Sequence, residues 1–120
     1  MGRAEDTDHI EELFSGFGPV TVRRMFSGSG VFADGMMIAL LVDGAIFLKA
    51  GSGTIPEFER EGLRPFSYRT KDSTRTLNSY WLMPEWLYDE PDELADWARR
   101  AMEAARRSAA RARAKPAKQR

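Results

Sequence analysis

Short apolar runs separated by turn signals over Arg23–Ala50 give the clearest structural prediction in this chain. The segment contains two Asp-Gly pairs, Asp34-Gly35 and Asp43-Gly44. Because Gly readily adopts the positive φ that a tight turn needs, each pair between apolar runs predicts a β-hairpin. Three consecutive antiparallel strands are therefore predicted, with cores at Gly30–Ala33, Met36–Val42 and Ala45–Lys49.

The middle run, Met36–Val42, is apolar at every position. A strand without a polar face is typical of the centre of a sheet, so we expect this strand to be covered on both faces. Ser27–Gly30, which precedes the three strands, is predicted to be a turn or a bulge. It matches neither common phosphate-loop pattern and a strand follows it, so we expect no nucleotide site there.

Helical spacing predicts helices before, between and after the strands. The first covers roughly Asp8–Phe17, and the last covers 91–114. Thr54 and Glu57 have the spacing of a capping box, which predicts a short helix between the two groups of strands. Further strands are predicted over Val20–Met25, Phe66–Arg69 and Leu77–Leu82. The order of helix, four strands, helix, two strands and helix predicts an α+β domain with helices packed on an antiparallel sheet.

Charge is unevenly distributed, although the formal net charge is zero. Residues 99–120 hold nine Lys or Arg and one acidic residue, a net charge of +8, whereas residues 1–98 carry −8. A basic segment next to an acidic body suggests an interaction tail. We predict a single domain over 1–105, followed over 106–120 by a basic helix end and a disordered tail.

Several kinds of chemistry have no support in the sequence. The 120 residues include no cysteine, which excludes disulfides and thiolate metal sites. His9 is the sole histidine, so nucleophilic catalysis lacks a base and a metal site lacks strong ligands. The acidic N-terminal residues contain no long apolar segment. We therefore expect a cytoplasmic protein without signal peptide, cofactor or metal, and without enzymatic activity.

A series of sequence landmarks runs in order along residues 8–107: Met25–Phe32, Asp34-Gly35, Phe47–Lys49, Phe58, Gly62, Pro65–Tyr68, Ser79–Trp81, Pro84 and Asp92–Ala98. The series resembles the N-terminal domain of the TfoX/Sxy competence regulators. The resemblance implies an α+β domain, commonly self-associating, in a bacterial cytoplasmic protein linked to transcription of DNA-uptake genes. It implies no catalytic residues. Full-length regulators carry a second domain where this chain has its basic segment, so a stand-alone version of the N-terminal domain is expected. Ser27, where the family usually has Gly, should change the turn and leave the fold intact.

The last predicted helix has an apolar side and an opposite side rich in arginine. The candidate contact residues on that side are Arg99, Arg100, Arg106, Arg107, Arg111 and Arg113. Non-specific binding to DNA phosphates is one interpretation. A solvated helix with i,i+4 ion pairs, Asp96–Arg100 and Glu103–Arg107, is the second. Docking on the acidic body of a second copy is the third. The apolar side is mostly alanine beyond Ala105, so insertion into a membrane surface is not expected.

Aromatic residues on the two late strands allow two interpretations. Phe66, Tyr68, Tyr80 and Trp81 are accompanied by Arg64, Arg69, Lys71 and Arg75. Aromatic and basic residues on a sheet can stack nucleic-acid bases, but packing in the core is the more common role and is favoured here. The sequence thus predicts a non-enzymatic regulatory domain, homodimeric, with an unidentified protein as partner and DNA as a second, non-specific one. The alternative is a structural or adaptor dimerisation module with no nucleic-acid role.

Overall fold

The computed structural model describes residues 7–25 and 28–114 of the chain. It has the predicted order of helices and strands, with a 3₁₀ turn before the last helix, where the sequence of Glu85–Tyr88 also favours one helical turn. The elements are α1 (Thr7–Leu13), β1 (Thr21–Met25), β2 (Gly28–Ala33), β3 (Met36–Val42), β4 (Ala45–Lys49), α2 (Ile55–Arg60), β5 (Pro65–Arg69), β6 (Thr74–Leu82), the 3₁₀ turn (Glu85–Asp89) and α3 (Pro91–Ala114). The predicted α+β class is confirmed.

All six described strands form one antiparallel sheet in the order β1-β2-β3-β4-β6-β5. Both predicted Asp-Gly hairpins are present. Asp34 and Gly35 have φ of 51° and 76°, and Asp43 and Gly44 have φ of 52° and 79°. Positive φ at both central residues is the type I′ conformation, whose twist matches that of the flanking strands.

One face of the sheet holds the core. α3 packs against β3 and β4, burying Leu94, Trp97 and Met102 as its apolar spacing predicted. Ile10 and Phe14 join the same cluster, and both are fully buried. Burial on α3 continues to Ala105, beyond which the described residues are exposed or half-buried. Removal of this apolar area from water is the main stabilising contribution to the fold.

The prediction that β3 is covered on both faces is wrong. Ile38, Ala39 and Leu41 are buried under the helices, whereas Leu40 and Val42 face the other way and remain half-buried. No helix in the described part of the chain lies on that second face. The pairing of β2 with β3 shifts register between Val31 and Phe32, which places adjacent residues of β3 on the core side. A continuous apolar run therefore reflects a bulge and an open apolar face, not a second covering layer.

The turn or bulge predicted at Ser27–Gly30 is also wrong for Gly28, Ser29 and Gly30, which are the described residues of that segment. Gly28, Ser29 and Gly30 belong to β2, and Gly28 pairs with Met25. A Cβ on Gly28 would collide with the carbonyl oxygen of Leu41 on the neighbouring strand. Glycine is thus needed there for close strand approach. Ser27 lies outside the described residues.

Two helix ends differ from prediction. α1 ends at Leu13, and a turn carries the chain on to Phe17. The capping box at α2 does not form, because the Thr54 Oγ1 accepts a hydrogen bond from the Gly51 N–H at 3.1 Å. The Glu57 side chain instead pairs with Arg100 on α3.

The basic segment that begins at residue 106 is helical as far as Ala114. The predicted disordered tail falls on residues 115–120, which lie outside the described residues. None of the described helices combines the length and apolar character needed to cross a membrane.

Candidate binding groove on the open face of the sheet

The uncovered face of the sheet is concave and forms a groove of about 430 Å³, here called the open-face groove. It lies between the β1–β3 side of the sheet and the β5–β6 hairpin. The residues that line it are Met25, Gly28, Ser29, Met37, Leu40, Val42, Phe66, Tyr68, Leu77 and Tyr80. A concave, mostly apolar surface of this size is typical of a binding site.

Methionines and a glycine form the floor of the groove. A Cβ on Gly30 would lie 2.7 Å from the Met37 sulfur and 2.9 Å from the Met25 sulfur. Gly30 therefore makes room for two flexible thioether side chains on the open face. Methionine adapts its shape to different partners, so this floor can adjust to the molecule that it contacts.

Aromatic rings form the wall on the hairpin side. The Phe47 and Phe66 rings meet edge to face at 5.1 Å, and Phe66 stacks with Tyr68 at 5.9 Å. Tyr68 is 43% exposed and Leu77 is 38% exposed, which is high for residues of this type. The hairpin thus presents apolar side chains to solvent on the side that faces the groove.

Tyr80 crosses the groove from β6. Its hydroxyl approaches the Met37 carbonyl oxygen at 3.5 Å, and the Lys49 Nζ lies 5.0 Å from its ring centre. Burial raises the pKa of Tyr80 to about 12. The hydroxyl therefore keeps its proton near neutral pH and serves as a donor, not as a base.

The register places three cations and no acidic residue among the strand residues of the open face. Arg23 pairs with Gly30 and covers the Phe32 ring at 5.2 Å. Arg75 is the cross-strand partner of Tyr68, and Lys49 is the partner of Tyr80. Paired residues of an antiparallel sheet share a face, so the apolar groove has a positively charged surround.

The aromatic residues singled out in the sequence divide between the two faces. Trp81 is buried on the helix side, donates from Nε1 to the Asn78 carbonyl oxygen at 2.8 Å and contacts Phe58. Core packing is thus correct for Trp81. Tyr80 is also buried, at 7% exposed, but on the groove side, where Phe66 and Tyr68 line the groove with it. Arg64, Arg69, Lys71 and Arg75 are all exposed.

The sequence profile described as the TfoX N-terminal domain matches residues 12–105. The chain belongs to the TfoX N-terminal domain family. The match includes all six strands of the sheet and most of α3, so the resemblance inferred from the landmarks is confirmed. It also includes every residue of the open-face groove.

A curated relative is the DNA transformation protein TfoX1 of Aliivibrio fischeri strain ATCC 700601 / ES114. It is 30% identical over 105 residues, which cover 84% of this chain and 50% of the relative. This TfoX N-terminal domain chain therefore spans half the length of the relative that it matches.

The arginines of α3 in this TfoX N-terminal domain form two groups. The first group is paired with carboxylates: Arg100 contacts Asp96 at 2.8 Å and Glu57 at 2.5 Å, Arg106 contacts Asp34 at 3.5 Å, and Arg99 contacts Asp96 at 4.0 Å. Hydrogen bonding to Asp96, above all, raises the pKa of Arg100. These pairs join α3 to α2 and to the β2–β3 turn.

The second group of α3 arginines consists of Arg107, Arg111 and Arg113. Within the described chain, none of them has a carboxylate within the 4.0 Å of an ion pair. The predicted Asp96–Arg100 pair is present, but the predicted Glu103–Arg107 pair is not formed. The structure therefore separates three arginines that are paired with carboxylates from three that are not.

Among residues 7–25 and 28–114, His, Cys, Asp and Glu form no group of three that could hold a metal ion. His9 is exposed on α1, away from the groove lining.

Sequence reasoning missed the floor of the groove, namely Met25, Met37, Leu40 and Val42. A signal was available. Gly28 and Gly30 alternate in a strand opposite a fully apolar one, which indicates a sheet face with room for larger neighbouring side chains.

Proposed function

We propose that this chain is a non-enzymatic regulatory domain that acts by binding a protein partner in the open-face groove. The observation that carries the proposal is the combination of an apolar groove of about 430 Å³ with exposed rings and an all-cationic surround. Single exposed apolar residues are common on protein surfaces, but a contiguous concave patch marks an interaction site.

The chemistry of the face defines the partner. Apolar side chains would occupy the space above Leu40 and Met37, while acidic residues would approach Arg23, Lys49 and Arg75. A polypeptide segment with alternating apolar and acidic residues satisfies both requirements, whether it binds as a strand or as a helix. Electrostatic complementarity would speed association and exclude basic competitors.

The biological setting of the proposal comes from the family. The relative is a DNA transformation protein. We place the activity of this chain in the regulation of DNA-uptake genes in a bacterial cytoplasm, a reducing setting that the absence of cysteine permits. The proposed activity requires no catalytic group, cofactor or metal.

A genetic experiment with matched variants tests the proposal. The gene is deleted from its host, and DNA-uptake frequency and uptake-gene transcripts are measured after complementation. A chain carrying Tyr68→Ser and Leu77→Ser should fail to restore both, because the groove loses its exposed wall. Trp86→Ser is the control, since Trp86 is 42% exposed, nearly the same as Tyr68, and lies outside the groove.

The control has two contacts of its own, a hydrogen bond from the Trp86 Nε1 to Glu61 and an edge-to-face contact with the Trp97 ring at 6.2 Å. Circular dichroism should therefore show that all variants are equally folded. Full complementation by the double variant would refute the groove as the partner site. Loss of function in Trp86→Ser alone would also refute the groove as the partner site.

DNA contact is a second candidate function, supported by Arg107, Arg111 and Arg113, which lack carboxylate partners among the described residues. Binding of labelled duplex DNA should then weaken steeply with salt. Replacing all three arginines with Gln should remove it, whereas replacing Arg64, Arg69 and Lys71 should not. Absence of binding at low salt would exclude this function.

Self-association is a further candidate. Two apolar open faces would cover each other in a homodimer, and β1 and β5 are the outer strands of the sheet. Light scattering of the intact chain measures the mass in solution. A monomer at high concentration would rule out the homodimer and leave the groove to a different protein.

A further inference from the structure

A second pocket of about 480 Å³, here called the Lys49 pocket, lies where β4 leaves the sheet and the last turns of α3 pass. Its polar lining consists of Lys49, Ser52, Asn78, Ser79, Ser108 and Arg111. The pocket shares no lining residue with the open-face groove. It is a second candidate site, and Lys49, which also belongs to the cationic surround of the groove, lies between the two.

The positions of the lining residues follow from their elements. Ala104, Ser108 and Arg111 are spaced by four and three residues along α3, so they share one face of the helix. On β6, the pairing with β5 shifts between Pro65 and Phe66 and leaves Asn78 and Ser79 out of that ladder. Small side chains on the helix and a bulge in the strand together leave the space.

The charge in the pocket has one sign. Lys49 and Arg111 are cations, and no acidic residue is present in the lining. Neither cation forms an ion pair with a carboxylate of the described chain. This contrasts with Arg100, on the same helix, which is held by two carboxylates. Two cations that face one pocket without a counter-charge favour an anion.

Electrostatics supports the same conclusion. Burial lowers the pKa of Lys49, and the positive charge of Arg111 lowers it further. Both causes disfavour the charged form of the amine. An anion between the two side chains would offset the repulsion between Lys49 and Arg111. The side chains of Ser52, Asn78, Ser79 and Ser108 form no hydrogen bond within the described part of the chain, so their donors are available as well.

We propose that the Lys49 pocket binds a phosphate group, with Lys49 and Arg111 as its cationic contacts and the neighbouring hydroxyls and amide as further donors. A phosphate has several acceptor oxygens and up to two negative charges, which matches two cations and several donors better than a single carboxylate does. The phosphate belongs either to a small molecule or to a nucleic-acid backbone. The proposal does not require a partner in the open-face groove, although Lys49 adjoins both sites.

The test uses the intact chain, labelled with ¹⁵N, and follows its amide resonances. Three probes are titrated at constant ionic strength: inorganic phosphate, adenosine monophosphate and a short single-stranded DNA. We expect saturable shifts centred on Gly51, Ser52 and Ser79 with at least one probe. Lys49→Gln and Arg111→Gln should each weaken binding about ten-fold or more, because each removes a charge-assisted hydrogen bond.

Arg64→Gln is the control, because Arg64 is an exposed cation that lies outside the pocket and outside the group of arginines proposed to contact DNA. It should leave the phosphate affinity unchanged. Saturation by phosphate or the nucleotide, without comparable binding of DNA, supports the pocket and assigns a small-molecule source. Tighter saturation by DNA that still depends on Lys49 supports the pocket and assigns a backbone source.

Two results would overturn the proposal. One is the absence of saturable shifts with all three probes. The other is equal weakening by Arg64→Gln and Lys49→Gln, which would mean that diffuse positive charge, not this pocket, attracts the anion. Thermal unfolding of each variant, measured in the absence of probe, shows whether the fold has changed.

Discussion

The two faces of the sheet consist of similar residues and meet different neighbours. On the helix side, Ile46, Leu48 and Leu41 are at most 2% exposed beneath α3. On the open side, Leu40, Val42 and Phe47 are only half-buried and line or adjoin a groove. Strand alternation thus places successive residues of one strand in the core and in the groove where we propose that a partner binds. The comparison shows that apolar character alone does not locate the core.

The largest expected difference between the faces comes from two adjacent leucines. Leu41→Ala, on the helix side, should lower the free energy of unfolding by about 2–5 kcal/mol, because it leaves a cavity in a packed core. Leu40→Ala, on the open side, should cost at most about 2 kcal/mol, because less apolar area is buried there. Urea unfolding of both variants measures the difference. Equal losses would mean that the two faces are buried to the same degree in solution.

The glycines of β2 give the next comparison. Gly28→Ala would press against the backbone of Leu41, which cannot move without disturbing the β2–β3 ladder. Gly30→Ala would press against the thioethers of Met25 and Met37, which can change rotamer. We expect Gly28→Ala to cost at least about 3 kcal/mol and Gly30→Ala about 1 kcal/mol. The reverse order, measured by denaturant unfolding, would contradict the described register of β2.

At alkaline pH, the stability of the protein should depend on Tyr80, which lies on the open face. Its pKa is near 10 in the unfolded chain and about 12 in the folded one. Between these values the unfolded state loses the proton first, so the folded state becomes less stable as pH rises from about 10 to about 12. Below pH 10 the contribution of Tyr80 to the unfolding free energy is fully present and does not vary with pH.

Tyr80→Phe should remove this slope. The difference in unfolding free energy between the variant and the parent chain should change by at most about 2 kcal/mol across that pH range. The parent chain is the reference at each pH because both proteins contain Lys49. The pKa of Lys49 is lowered, so its contribution to the unfolding free energy changes with pH in the opposite direction below pH 10.5. A difference that does not vary with pH would mean that Tyr80 is accessible to water.

The smallest expected effects concern the arginines of α3. Arg106→Gln should change the unfolding free energy by less than about 0.5 kcal/mol, since both partners of its ion pair are well exposed. Arg100→Gln should cost about 1 kcal/mol, because Arg100 is half-buried between two carboxylates and stacks over Trp97. Thermal unfolding in low and high salt measures both. A larger loss for Arg106 would contradict the ion-pair geometry.

Local signals predicted the parts of the fold that local physics determines. The Asp-Gly turns require only the φ preferences of two residues, and α3 requires only apolar spacing along one helix. The open-face groove could not be predicted in the same way, because it depends on β6 pairing with β4 and on the register shift opposite Val31. The capping box at Thr54 failed for a similar reason, since Glu57 pairs with a residue 43 positions later.

The difference between local signals and contacts between distant residues also explains which site residues could be predicted. The six arginines of α3 lie on one helix as predicted, and Asp96 of the same helix pairs with two of them, but the other carboxylate partners, Glu57 and Asp34, come from α2 and from the β2–β3 turn. Sequence spacing alone therefore could not divide them into paired and unpaired groups. The Lys49 pocket was missed because its two cations are 62 residues apart in the chain and become neighbours only when α3 packs on the sheet.

The position of α3 after all six strands also has a consequence for biosynthesis. When the ribosome has produced β6, the sheet has two apolar faces and the helix that covers one of them has not yet emerged. Nascent chains at this stage expose enough apolar surface to associate with one another or with chaperones. A chain truncated before Pro91 should therefore give a lower yield of folded protein than a chain that extends to Ala114.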